Sequence, residues 1–148
     1  MKRILLTPLL VSLSLLNLGF IGKPKLEVLY CDEEKYMNAS PTVMWEYWPW
    51  IFDKNSGKLY KYDSFLNEIN IMKTDYSNGV NYTYKSRVDR NILKIKETQI
   101  INGRIDDVVS YEINLKQKTE TYDSVNYPNK SFKRCIKLDL PKGVKINY

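Results

Sequence analysis

Along most of this chain apolar and polar residues change places at every step. Val80, Tyr82, Tyr84 and Val88 alternate with Asn81, Thr83, Lys85 and Arg87. Farther on, Val109, Tyr111, Ile113 and Leu115 alternate with Ser110, Glu112, Asn114 and Lys116. A period of two describes strands with one buried and one wet face, the pattern of antiparallel sheets. Turn chemistry separates the runs. Asn102-Gly103 suits a two-residue type I′ hairpin, because both residues tolerate positive φ. Asp53-Lys54-Asn55-Ser56-Gly57, Ser77-Asn78-Gly79 and Asp89-Arg90-Asn91 suit further hairpin loops.

The spacing predicts strands over about residues 25–31, 43–53, 58–63, 69–74, 80–88, 92–101, 104–119 and 131–140. Residues 32–41 read as irregular or briefly helical. Pro49 inside the second strand demands an edge position or a bulge. Phe65, Leu66, Ile69 and Met72 fit a helical face behind Ser64 as well as a strand. The fold class expected is all-β: an antiparallel meander of about seven to eight strands. Closure into a full or nearly full barrel, lipocalin-like in kind, would remove the exposed edges.

An N-terminal hydrophobic helix precedes this domain. Lys2-Arg3 is followed by a charge-free run from Ile4 to Ile21, and Gly22-Lys23-Pro24-Lys25 returns to polar sequence. That order is the pattern of an export signal. The flank Asn17-Leu18-Gly19-Phe20-Ile21-Gly22 lacks a clean pair of small residues for cleavage, and the run is about long enough to cross a bilayer. Signal peptide, uncleaved membrane anchor and buried helix therefore stay open. The division is residues 1–22 as signal or anchor and 23–148 as a single β domain. The domain is expected to be periplasmic or secreted or, with an uncleaved anchor, held at the membrane facing the periplasm.

Export changes how Cys31 and Cys135 are read. Outside the cytoplasm two lone cysteines most often form one structural disulfide. By alternation against Leu26, Val28 and Tyr30 on one strand, and Phe132, Ile136, Leu138 and Leu140 on the other, both sulfurs fall on the face away from the core. A bridge there brings the first and last strands together. The chain contains no histidine, which removes His-based acid–base and nucleophile systems and the commonest zinc ligand. No enzyme activity, cofactor or metal site is expected. Loss of Lys2 and Arg3 with a leader lowers the formal net charge from +6 to +4, and the excess is dispersed. Dispersed charge of that size serves solubility and gives no ground for a nucleic-acid partner.

Trp45-Glu46-Tyr47-Trp48-Pro49-Trp50-Ile51-Phe52 is the candidate binding element. On one strand Trp45 and Tyr47 would point opposite to Trp48, Trp50 and Phe52, so both sets cannot serve the same core. One reading is a core set plus a set beneath a loop. The other makes Trp45, Trp48, Trp50 and Phe52 a surface for a small apolar ligand or an envelope protein. Other signals are weaker. Asp53 to Gly57 has turn chemistry and no acidic residue closing a calcium loop. Glu97, Asp106 and Asp107 suggest paired carboxylates, but neighbours on a strand diverge, which favours solvated charge. Asn38, Asn81 and Asn129 begin glycosylation sequons, relevant only in a eukaryotic secretory route.

The opening Met1 to Leu10, the Tyr30-Cys31 pair and the Trp50-Ile51-Phe52-Asp53 and Leu59-Tyr60-Lys61-Tyr62-Asp63 hairpin resemble uncharacterised small exported β-rich proteins of marine cyanobacteria. That resemblance implies a signal and a periplasmic or extracellular β domain. Tyr30-Cys31-Asp32, Gly79-Val80-Asn81-Tyr82 and a late cysteine are more faintly similar to periplasmic inhibitors of C-type lysozyme, which are small disulfide-linked barrels. The Trp-x-Lys-Gly element of those inhibitors does not follow Tyr82, so no inhibitory loop is carried over. The function expected is a non-enzymatic exported binding module for an apolar ligand or envelope component. The alternative is a protein-interaction module such as a periplasmic enzyme inhibitor.

Overall fold

A computed structural model describes residues 22–32, 37–38, 40–46, 48–126 and 131–148. Residues 1–21, which carry the expected leader, lie outside that set. Among the described residues no helix is long and apolar enough to cross a membrane.

The strands are β1 (Leu26–Asp32), β2 (Trp50–Asp53), β3 (Leu59–Asp63), β4 (Glu68–Ile71), β5 (Thr74–Ser77) and β6 (Val80–Asp89). They continue with β7 (Ile92–Ile101), β8 (Arg104–Asn114), β9 (Thr119–Ser124), β10 (Ser131–Lys137) and β11 (Lys145–Ile146). A short helix, α1 (Pro41–Glu46), lies between β1 and β2. The protein is all-β, and among the described residues the strands form one sheet of 11 in the order β11-β4-β3-β2-β1-β10-β9-β8-β7-β6-β5. The pairing is antiparallel except for the short parallel contact of β11 with β4.

The strand order is open, with β11 and β5 at its ends, so hydrogen bonding does not close the sheet into a ring. Yet β4 and β5, near opposite ends of that order, are separated in sequence only by Met72 and Lys73. The Met72 N–H donates to Leu59 of β3, whereas the carbonyl of Lys73 accepts from Tyr84 of β6. The chain therefore leaves one end of the sheet and joins the other within two residues, which requires the sheet to curl. Gly57, in the β2–β3 turn, shows a second close approach. Its φ is +76°, and a Cβ there would fall 2.6 Å from backbone atoms of Arg87 and Val88 in β6. Only glycine suits both the left-handed backbone and that separation.

Curling gives β1, β2 and β3 two buried faces. On one, Val28, Tyr30, Ile51 and Tyr60 pack with Met44 of α1, Ile69 and Leu138. On the other, Leu29, Phe52 and Leu59 pack with Leu93, Ile95, Ile113 and Cys135 across the interior. Each large apolar side chain fully enclosed this way contributes about 1.5–3 kcal/mol by leaving water.

The Cys31–Cys135 disulfide is present, and its residues are direct partners in the β1–β10 ladder. First and last long strands are thus neighbours, as expected. The predicted orientation of the sulfurs is corrected: Cys135 belongs to the interior cluster, with Cys31 packed against it. Alternation separated the two faces of β1 properly, but α1 covers the face of Val28 and Tyr30 while the sheet's other half covers the face of the cysteines. A bridge closing a loop of 104 residues stabilises by about 4–5 kcal/mol in the chain-entropy model.

Several expected strands change. The long strand over 104–119 is a hairpin, because the Asn114 side chain accepts from the N–H groups of Lys116 and Gln117 and bends the chain. The ambiguous segment after Ser64 is a turn and a strand, with Asp63 accepting from the N–H groups of Phe65 and Leu66. Asn78-Gly79 and Asn102-Gly103 adopt positive φ throughout, as their hairpins require.

Candidate functional site

Three local features take the aromatic segment out of the single strand expected for it. Residues 41–46 are helical, Trp48 has a φ of +60°, and β2 begins only at Trp50. Pro49 precedes the strand, which lies inside the sheet between β1 and β3, so the proline marks neither an edge nor a bulge. The rings consequently separate. Trp45 packs edge-on to Tyr62, with ring centroids 5.0 Å apart. Trp48 turns outward and is 59% exposed. Trp50 points into the interior, edge-on to Tyr111 at 5.0 Å. Phe52 lies deeper on the same strand and is fully enclosed, with no surface left for a ligand. Tyr47 lies outside the described residues.

Trp45, Trp48 and Trp50 nevertheless line one cleft of about 820 Å³, together with Lys61, Tyr84 and Glu97. It follows the seam where the β3–β4 side of the curled sheet meets the β5–β6 side. Lys61 of β3 crosses this seam to Asp75 of β5, at 2.9 and 3.0 Å to its two oxygens. The same ammonium lies 4.3 Å from the centre of the Trp48 ring.

The inner face is graded. Along β7 it reads Leu93, Ile95, Glu97, beside Ile113, Tyr111 and Val109 of β8. Glu97 is 7% exposed and accepts from the Gln99 amide at 2.8 Å and the Tyr111 hydroxyl at 3.5 Å, with the Tyr84 hydroxyl as a further donor. Burial pushes its carboxyl above the ordinary value, and these neutral donors only partly oppose that. Glu120 of β9 is 2% exposed and accepts the Trp50 indole N–H at 2.6 Å. Burial raises its carboxyl too, against the Trp50 hydrogen bond and the nearby Lys133 charge. The Tyr84 and Tyr111 hydroxyls are pushed up by burial and by Glu97, which keeps them protonated.

The expectation of solvated charge at Glu97 and Asp107 is overturned, since both are buried. Asp107 is a fastener: it accepts from the Ser124 hydroxyl at 2.6 Å and from the N–H groups of Val108 and Asn126. Those bonds hold its carboxyl below the ordinary value. Asp106 is exposed, so the adjacent pair does diverge. Glu97, set aside as solvated charge on the sequence, lines the cleft, and Glu120, which the sequence did not single out, lies behind it and holds the Trp50 indole. The available signal was Glu97 standing two positions beyond Ile95 and four beyond Leu93, where alternation continues the apolar row. Among the described residues no group of three or more potential ligands could hold a metal ion. No family model, curated protein or solved structure matches the chain.

Proposed function

We propose that this chain is an exported, non-enzymatic binding module that takes a small, largely apolar ligand into the cleft at the seam of a nearly closed, lipocalin-like barrel. The observation that carries this reading is the convergence of Trp45, Trp48 and Trp50, from α1, the linker and β2, on one cavity of about 820 Å³. Small-molecule sites span about 300–1,000 Å³ and combine apolar walls with a few placed polar groups. Here Lys61, Tyr84 and Glu97 supply the polar groups. Export is supported by the leader-like run from Ile4 to Ile21 and by the disulfide, which is compatible with an oxidising compartment. The likeness to small exported proteins of marine cyanobacteria agrees with that placement.

The test is incubation of the purified protein with an envelope lipid extract, followed by native mass spectrometry and tryptophan fluorescence. A small molecule retained one-to-one, with a change in tryptophan emission, is the expected result. Retention of nothing, with emission unmoved across the extract, would remove the reading.

A second reading has its own observation. Phe65 is 93% exposed at the tip of the β3–β4 turn, beside exposed Leu66. Uncovered apolar side chains at a tip suit contact with an envelope protein, enzyme inhibition being one version. A stoichiometric protein partner released by Phe65→Ser, with the cleft empty, would favour it over the ligand module.

A further inference from the structure

The charge around the cleft narrows what it would hold. Of the ionisable side chains lining it, Asp63 and Glu97 are acidic and Lys61 is basic. With Glu97 ionised the lining is net negative, in a chain whose formal net charge is +6. Lys61 is already committed to Asp75 across the seam. Glu97 is the buried acid among the residues that line the cleft. Asp107 has a fan of hydrogen bonds, and Glu120 has the Trp50 N–H with the Lys133 charge close by. Among the described residues, neither lysine nor arginine pairs with Glu97, and its donors Gln99, Tyr84 and Tyr111 are neutral.

A carboxylate taken from water without a counter-charge is costly, and a cation brought beside it recovers much of that cost. Trp48, Trp50 and Tyr84 line the same cleft. The negative faces of aromatic rings attract cations, most strongly where water is excluded. The Lys61 ammonium over Trp48 is a built-in instance of that contact at the rim.

Resting on the reading of the cleft as a ligand site, we propose that its ligand is an organic ammonium ion with a short apolar body. The charged head lies against Glu97 among the rings of Trp50 and Tyr84, and the apolar body lies along Trp45 and Trp48. Glu97 is the residue that selects charge, and the tryptophans supply affinity common to any apolar body.

Calorimetric titration of the full-length protein with hexyltrimethylammonium, hexanol and hexanoate tests this, since the three share one alkyl chain. The ammonium is expected to bind about tenfold more tightly than the other two, the scale of a desolvated cation–aromatic contact. Glu97→Gln, which keeps the shape, should bring the ammonium down to the level of hexanol. A pH series on the unaltered protein needs no variant: ammonium affinity should rise as Glu97 ionises, while hexanol affinity stays flat. The groups facing Glu97 permit that assignment. Tyr84 from β6 and Tyr111 from β8 stay protonated, Asp107 from β8 is held ionised, and Lys61 and Asp75 at the seam are paired.

Equal affinity for all three compounds, or a preference that survives Glu97→Gln, would overturn the charge selection and leave the ligand site standing. Binding of none of them would overturn both. Dihexanoylphosphatidylcholine in the same titration separates the sources of the ammonium: tighter binding than hexyltrimethylammonium supports a lipid headgroup, and weaker binding supports a free amine.

Discussion

One step of the alternation along β7 separates Ile95 from Glu97, and the interior of the sheet changes character across it. Below, Leu29, Phe52, Leu59, Leu93, Ile95 and Ile113 meet around the disulfide with hardly a polar atom among their side chains. Above, Glu97, Tyr84, Tyr111, Glu120 and the Trp50 indole form a hydrogen-bonded rim. The two regions share strands, share a face and are continuous, yet different physics holds each. The floor is maintained by burial and a covalent bond. At the rim, burial of two carboxyls works against their charge, and neutral donors only partly compensate.

The largest effect expected from breaking this contrast is at the floor. Phe52→Ala should cost about 3–5 kcal/mol, the range for a large ring removed from a close-packed site. Denaturant unfolding measures it, and a loss below about 1 kcal/mol would place Phe52 outside the tight core.

The rim gives a signed prediction with pH. Because burial raises the Glu97 carboxyl above its ordinary value of 4.5, the folded state favours the protonated form. Its contribution to stability is therefore complete below the unfolded value and is lost as pH rises through the folded one. Asp53 has the opposite sign. Burial opposes its ionisation, but hydrogen bonds from Ser56 and from the N–H groups of Asn55, Lys25 and Ser56 hold its carboxyl low. Its contribution is present above the unfolded value and lost as pH falls through the folded one, and the same holds for Asp107. Comparing Glu97→Gln with the unaltered protein isolates Glu97 together with its coupling to the Asp107 charge. The variant should gain in relative stability as pH rises from acid to neutral, and thermal unfolding at several pH values reads the gain. A flat difference would mean that water reaches Glu97 freely.

The smallest effect belongs outside both regions. Trp48 is 59% exposed, so Trp48→Ala should change stability by no more than about 0.5 kcal/mol. A loss of core size would show that the Lys61–Trp48 contact braces the seam and is more than a lid over the cleft.

Much of this architecture is legible in the residues. The alternation in β6 and β7 marks those strands to within a residue, and Asn78-Gly79 and Asn102-Gly103 stand at their turns because few residues tolerate positive φ there. The aromatic segment was not legible in the same way. Apolar residues at nearly every position from Trp45 to Phe52 match a helix, a strand and a linker about equally, and the chain uses all three. The hairpin after Asn114 escaped notice because it has no glycine and because Leu115 continues the apolar series past the turn.

The sequence by itself determined which residues share a face of each strand, where most hairpins turn and which cysteines join. These are local properties, set by backbone sterics, a period of two and the supply of only two sulfurs. The tertiary structure alone decided which face lies inside. That choice depends on what covers each side, and the covers come from far away in the chain. Helix α1 and Leu138 take one face of β1, and Leu93, Ile95 and Ile113 take the other. The same long-range folding carried Glu97 and Glu120 out of water, because a carboxylate's burial is settled by neighbours that the sequence beside it does not name.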